Sequence, residues 1–278
     1  MTYRELCERL KRSGVESPEW DAQELIGHFC GADRLRILAD PDADWESDLL
    51  KNAADRRCAR EPLQYILGEW CFYRQTYEVS PDCLIPRSDT ECLVEEAVRR
   101  LPPNAFFADL CTGSGCIAVS TLAERPDTVA VAVELSEGAL ALARRNAARN
   151  GVAKRLTLER ADVLGLNEAF LNRYPKPQAI LSNPPYIRSD VIPTLQAEVA
   201  REPSMALDGG KDGLVFYRAL VELADRWLDE GGFCLFEIGY DQGKEICELA
   251  SAQGFSCEIW KDLGGCDRVA FLRRCGIS

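Results

Sequence analysis

From residue 105 to the C-terminus, short apolar runs alternate with longer amphipathic ones, and this alternation restricts the chain more than any other feature. Strands are expected over 105–110, 129–134, 156–159, 179–182 and 233–238, and near 255–259 and 268–272. Helices are expected between them, including 136–150, opened by Ser136 and ended by Gly151, and 213–229, ended by Gly231-Gly232. Such a repeat predicts an α/β domain whose mostly parallel sheet carries helices on both faces. The last two strands are joined only by Lys261 to Cys266, too short for a crossover helix, so the final strand should pair antiparallel.

The first part of the chain reads differently. Thr2-x-x-Glu5 is a capping box, Ser17-Pro18 offers an N-cap followed by proline at the first helical position, and Asp33 and Asp44 are further helix starts. Leu25, Ile26 and Phe29, then Leu35, Ile37 and Leu38, recur at helical spacing. A small helical domain over 1–68 is expected, then a β-hairpin linker over 69–85, rich in aromatic and β-branched residues, and the α/β domain over 86–278. His28 is the only histidine and lies in one of the early helices, so the chemistry is expected to proceed without a histidine base.

Composition narrows the class. Thirty-three basic residues against 45 acidic ones give a net charge of -12, which argues against broad nucleic-acid binding. The chain starts with charged residues and has no apolar run of signal-peptide or membrane-span length, so a cytoplasmic protein without membrane association is expected. Thirteen cysteines are scattered without any Cys-x-x-Cys. They predict neither structural zinc nor a disulfide framework, and most are expected to be small buried apolar residues of a reduced protein.

Two motifs carry the chemistry. Asn183-Pro184-Pro185-Tyr186 follows the apolar strand 179–182, and its two prolines fix the backbone path. The Asn183 side-chain oxygen and the Pro184 carbonyl can both accept from a planar NH2 group, with Tyr186 as an aromatic wall. That set suits an amide or an aromatic amine at the carboxyl edge of a sheet, where open α/β folds bind ligands. Upstream, Asp109-Leu110-Cys111-Thr112-Gly113-Ser114-Gly115 closes the first sheet strand and opens a helix. Gly113-x-Gly115-x-x-Ala118 with Glu134 also satisfies a dinucleotide fingerprint. Asp109 ahead of the glycines, Asp162-Val163 after the third strand and the Asn-Pro-Pro-Tyr motif favour S-adenosylmethionine instead. A carboxylate suits its cationic α-amino group and would oppose a pyrophosphate, while Asp162 and the Val163 N–H can meet the adenine edge.

Taken together, Pro86-Arg87-x-x-Thr90-Glu91, the loop from Asp109 to Gly115, and Asn183 to Tyr186 behind a helical N-terminal domain resemble the release factor glutamine methyltransferases, the HemK family. The resemblance covers nearly the whole chain and implies a Rossmann-like class I methyltransferase domain. It implies transfer of a methyl group from S-adenosylmethionine to the side-chain amide of the glutamine in the Gly-Gly-Gln loop of bacterial class I peptide chain release factors. It places Asp109, Cys111, Thr112, Gly113, Ser114, Gly115, Glu134, Asp162, Val163 and Asn183 at the cofactor. Asn183, Pro184, Pro185 and Tyr186 would hold the glutamine and carry catalysis, with no metal. The release factor is the implied partner, and a monomer is expected. Cys111 stands where the family usually has glycine, and Ser88 where proline is common. A ribosomal-protein glutamine methyltransferase, an adenine-specific DNA methyltransferase and a non-catalytic cofactor-binding protein remain the competing readings.

Overall fold

The computed structural model describes residues 1–262 and 264–275. Leu263, in the expected final hairpin turn, lies outside the described residues. The chain divides into two compact units, residues 1–69 with 196–201, and residue 70 to 195 with 202 onward.

The first unit is helical: α1 (Tyr3–Arg12), α2 (Pro18–Cys30), α3 (Arg34–Ala39), α4 (Asp48–Cys58) and α5 (Leu63–Leu67). Thr2 and Glu5 form the expected capping box on α1, and Asp33 caps α3 by accepting from the Arg36 N–H. Ser17 precedes α2 but makes no side-chain cap bond. Asp44 does not start a helix. Ser47 caps α4 instead, its hydroxyl accepting from the Leu50 N–H, and thus sets the start three residues later. Leu6, Leu10, Leu25, Ile26, Ile37 and Leu50 close one core, and His28 lies edge-on to Phe29 on α2. Residues 196–201 join this unit through Glu198. Its carboxylate accepts from Arg57 at 2.8 Å and from both ends of the Arg60 guanidinium at 2.6 Å.

The second unit opens with the two-stranded sheet β1 (Glu69–Phe72) and β2 (Gln75–Glu78). A seven-stranded sheet follows, made of β3 (Phe106–Leu110), β4 (Val129–Glu134), β5 (Leu156–Arg160), β6 (Ala179–Ser182), β7 (Phe233–Glu237), β8 (Phe255–Lys261) and β9 (Asp267–Arg274). Its order is β5-β4-β3-β6-β7-β9-β8, parallel except where β9 pairs antiparallel with β7 and β8. The helices are α6 (Glu91–Arg100), α7 (Cys116–Glu124), α8 (Glu137–Arg149), α9 (Glu168–Leu171), α10 (Val215–Trp227) and α11 (Gly243–Ala252).

Alternation along the strands feeds two cores, as a period of two requires. Leu110, Val131, Val133, Ile180 and Phe236 pack with Tyr217 and Leu220 of α10, whereas Phe107, Ala132, Leu181 and Leu235 pack with Leu93 of α6 and Ile117 of α7. The strand order reverses between β3 and β6, with β4 and β5 to one side, so the carboxyl ends of these two strands diverge into a crevice.

The cysteines depart from expectation. Cys247 of α11 and Cys257 of β8 form a disulfide, because the helix packs back on the strand it precedes and brings the two side chains together. Of the other eleven cysteines, Cys83 and Cys234 are buried, and the rest are half-buried or exposed.

Candidate active site

The glycine loop is held from behind by a buried acid. Asp109, fully buried at the end of β3, accepts the Thr112 hydroxyl at 2.5 Å and the Ala118 N–H at 3.1 Å through the same oxygen. Its other oxygen is buried without a hydrogen-bond partner. Desolvation pushes its pKa up to about 7, against the pull of the Thr112 and Ala118 hydrogen bonds. The loop turns through left-handed conformations at Cys111, Gly113 and Gly115, with φ of 61°, 55° and 83°. Position 111 therefore has a backbone reason to be glycine, since a side chain there carries a steric cost of roughly 1 kcal/mol. Gly115 has a second reason: a Cβ there would lie 3.3 Å from Ala143 Cβ, where α8 crosses close behind the loop.

Glu134 ends β4 and ties the loop from the front, accepting from the Gly113 N–H at 2.9 Å and the Ser136 N–H at 2.8 Å. A Cβ on Gly113 would meet nothing within 4 Å, so the loop faces open space at that point. Asp162 follows β5 and accepts from the Leu164 N–H, starting a short 3-10 turn that buries Val163. These strand ends border a cavity of about 880 Å³, counted to its open mouth.

Cys111, Thr112, Gly113, Ser114, Glu134, Asp162, Val163, Asn183 and Pro185 all line that cavity. Asp109, Gly115, Pro184 and Tyr186 are not in its wall. Asp109 and Gly115 shape the loop from beneath, and Pro184 is buried. Tyr186 turns its hydroxyl towards Glu237, 3.4 Å away, and burial pushes the phenol pKa up.

The Asn-Pro-Pro-Tyr segment leaves β6 supported on several sides. Ser182 donates its hydroxyl to the Leu110 carbonyl at 2.5 Å, fastening β6 to β3. Asn183 donates from Nδ2 to Thr90 Oγ1 at 3.3 Å, and Thr90 donates to Glu237 at 2.5 Å. Gln242 donates to the Tyr186 and Gly213 carbonyls at 3.0 and 3.1 Å and accepts from the Gly239 N–H. Arg87 pairs with the buried Glu202, which also accepts from the Ile85 N–H.

Sequence reading passed over several of these groups. Asp89 or Thr90 is a candidate cap for the helix over 93–101 by sequence, with no part in the chemistry; Thr90 precedes α6 but makes no side-chain cap bond, and Glu237 lies inside a strand expected to be apolar. A carboxylate at the end of Phe233-Cys234-Leu235-Phe236 is itself a signal, because a buried acid needs partners. Glu202, Gln242 and the apolar wall residues Leu135, Met205 and Phe216 become visible only when the loops converge.

Known proteins resemble this chain over most of its length. The family model for the PrmC N-terminal domain matches residues 2–68, and that for the methyltransferase small domain matches residues 89–232. The release factor glutamine methyltransferase of Geobacter sulfurreducens is 41% identical over 268 residues, 94% of this chain and 91% of its own length. That of Moorella thermoacetica is 40% identical over 277 residues, 97% of this chain and 96% of its own. Among solved structures, a methyltransferase from Pyrococcus furiosus, 21% identical, superposes with a TM-score of 0.53 over 70% of this chain and 86% of its own and shares the fold. The chain belongs to the release factor glutamine methyltransferase family of methyltransferase enzymes.

Proposed function

We propose that this enzyme transfers a methyl group from S-adenosylmethionine to the side-chain amide nitrogen of the glutamine in the Gly-Gly-Gln loop of a bacterial class I peptide chain release factor. The observation that carries the reading is the setting of Asn183. Its NH2 end is taken by Thr90, while its Oδ1 has no hydrogen-bond partner among the described residues and the side chain stands in the wall of the large cavity.

The cavity fits a cationic cofactor better than a dinucleotide. Its described wall holds three carboxylates, Asp82, Glu134 and Asp162, and one cation, Arg87, already paired with Glu202. A pyrophosphate would face net negative charge there, whereas a sulfonium and an ammonium would be attracted. The open space before Gly113 leaves room for a ligand against the loop backbone. Glu134, Asp162 and the Val163 N–H are the groups that would hold the ribose and adenine, with Leu135 adding apolar surface. Asp109 then serves by fixing the loop.

The bound cofactor supplies an electrophilic methyl group on a sulfonium. A carboxamide nitrogen is a weak nucleophile, since its lone pair is delocalised, so orientation and electrostatics must provide most of the acceleration. The Asn183 Oδ1 accepts from the substrate NH2, turns its nitrogen towards the methyl, and stabilises positive charge as it grows there. No strong base is required, because an N-alkylated amide cation releases its proton readily to water.

A few side-chain atoms cannot select one glutamine among all those in a cell, so further protein surface is needed. Residues 1–69 are assigned to that task, docking the folded release factor without contributing chemistry. Trp20, Leu35, Leu38 and Leu49 offer apolar surface on these helices, Leu35 being 81% exposed and Leu49 67%. The test supplies methyl-labelled cofactor together with an intact release factor, a ribosomal protein and adenine-containing DNA. Label entering the release factor supports the reading. Preferential label in the ribosomal protein or the DNA refutes it.

A further inference from the structure

Asn183 presents two chemically opposite ends, and only one of them can serve a substrate NH2. We propose that Thr90 and Glu237 are positioning residues that fix which end faces the cavity, through a hydrogen-bond chain whose polarity is set by the Glu237 carboxylate. The inference rests on the reading of Asn183 as the acceptor for the substrate amide.

The polarity follows from counting protons. Glu237 ends β7 and is only 2% exposed. When ionised it has lone pairs and no proton, so the Thr90 hydroxyl, 2.5 Å from its Oε2, must donate to it. A hydroxyl has one proton. Having given it to Glu237, Thr90 Oγ1 can only accept, and the group 3.3 Å away on Asn183 must be the NH2. The Asn183 oxygen is then the end left for substrate. Tyr186 donates to the other Glu237 oxygen at 3.4 Å, so one carboxylate orients both ends of the Asn-Pro-Pro-Tyr segment.

Protonating Glu237 reverses the chain. The acid can donate to Thr90, which passes its own proton to the Asn183 oxygen, and the amide turns its NH2 into the cavity to face a substrate NH2. Burial raises the Glu237 pKa to about 7, opposed by its Thr90 bond and by Arg268, so this reversal falls in an accessible range. The titratable and charged groups facing Glu237 are Asp89, Cys92, Cys116, Tyr186, Tyr217 and Arg268. Arg268 favours the ionised form and Asp89 opposes it, while burial keeps the thiols and phenols neutral across the same range.

Three variants and one spectroscopic readout test the relay. Thr90→Val keeps the shape and removes the hydroxyl; measured well below Tm, it should lower kcat about tenfold or more while cofactor Kd stays near wild type, the scale of one lost orienting hydrogen bond. Thr90→Ser should restore most of the rate. Because Asp109 titrates in the same range, the acid limb is assigned at Asn183 itself. In 15N-labelled enzyme the Asn183 side-chain NH2, identified by its absence in Asn183→Ala, should shift with a midpoint near pH 7 in the wild type and show no such step in Glu237→Gln. Unchanged kcat in Thr90→Val, or an Asn183 signal without that step in the wild type, overturns the relay. Wild-type enzyme that leaves release factors unmethylated refutes the substrate reading instead, and the spectroscopic step still decides the relay.

Discussion

Thr112 gives its hydroxyl proton to Asp109 across 2.5 Å, so the turn that faces the cavity is pinned to a carboxylate with no exposure to solvent. Burying that acid has a consequence for stability. Its pKa rises from 3.8 to about 7 on folding, so between those values the folded protein keeps a proton that the unfolded chain has lost. Stability contributed at Asp109 is therefore full at acid pH and is lost as pH climbs to about 7, on the order of 4 kcal/mol in all. Glu237 acts with the same sign. Asp109→Asn, neutral throughout, should show a flatter decline than wild type in chemical denaturation between about pH 4 and pH 8. Parallel curves for the two proteins contradict this.

Gly213 stands against the backbone of the Asn-Pro-Pro-Tyr segment. A Cβ there would lie 2.5 Å from the Tyr186 carbonyl oxygen, at φ 73°, and one on Gly209 would lie 2.7 Å from Tyr186 Cα. Gly213→Ala should cost about 2 kcal/mol or more, since clash and left-handed strain act together. Because the displaced atoms belong to Tyr186, turnover should fall further than thermal stability alone explains, measured well below Tm. Gly151→Ala, at φ 72° with nothing within 4 Å, is the control for strain without a clash.

Glu134 holds two loop N–H groups and stands in the cavity wall, so its replacement has two effects that can be separated. Glu134→Ala should weaken S-adenosylmethionine binding by roughly 1 to 3 kcal/mol in calorimetry, through lost charge-assisted hydrogen bonds. Glu134→Gln retains an acceptor but no charge, and should fall between the two. Tight dinucleotide binding with no response to S-adenosylmethionine would sink the cofactor assignment.

The helical unit should matter for intact substrate only. Leu35→Glu with Leu49→Glu alters two exposed side chains outside the core and should leave Tm within a few degrees, as surface changes do. The expected effect is a higher KM for folded release factor, with an unchanged and poor rate on a short Gly-Gly-Gln peptide. Equal KM values for wild type and variant on the folded factor would rule out these two side chains as part of the docking surface.

How far the sequence could be read depended on how local each signal was. Strand ends such as Val129–Glu134 and Ala179–Ser182, the capping box at Thr2, and the antiparallel last strand were all legible, because periodicity and loop length act over a few residues. Glu198, Glu202 and Gln242 were not, since each acts on residues far along the chain: Arg57, Ile85 and Tyr186. Asp109 could be picked out beside the glycine loop, yet only the fold shows its carboxylate beneath the loop and absent from the cavity wall. The Cys247–Cys257 disulfide is not legible in the sequence because nine residues lie between its partners, and only the packing of α11 on β8 makes them neighbours.

The central claim is that Asn183 orients a release-factor glutamine amide for methyl transfer. Its most direct test is peptide mapping by mass spectrometry of a purified release factor after incubation with S-adenosylmethionine and either wild-type enzyme or Asn183→Ala. With wild type, the mass of one methylene should appear on the Gly-Gly-Gln peptide, at the glutamine side-chain nitrogen. With Asn183→Ala, which should keep its fold and cofactor affinity, the rate should drop about a hundredfold or more, the scale for removing one preorganised polar group. Methylation at another residue, or an Asn183→Ala rate equal to that of wild type, would contradict the account.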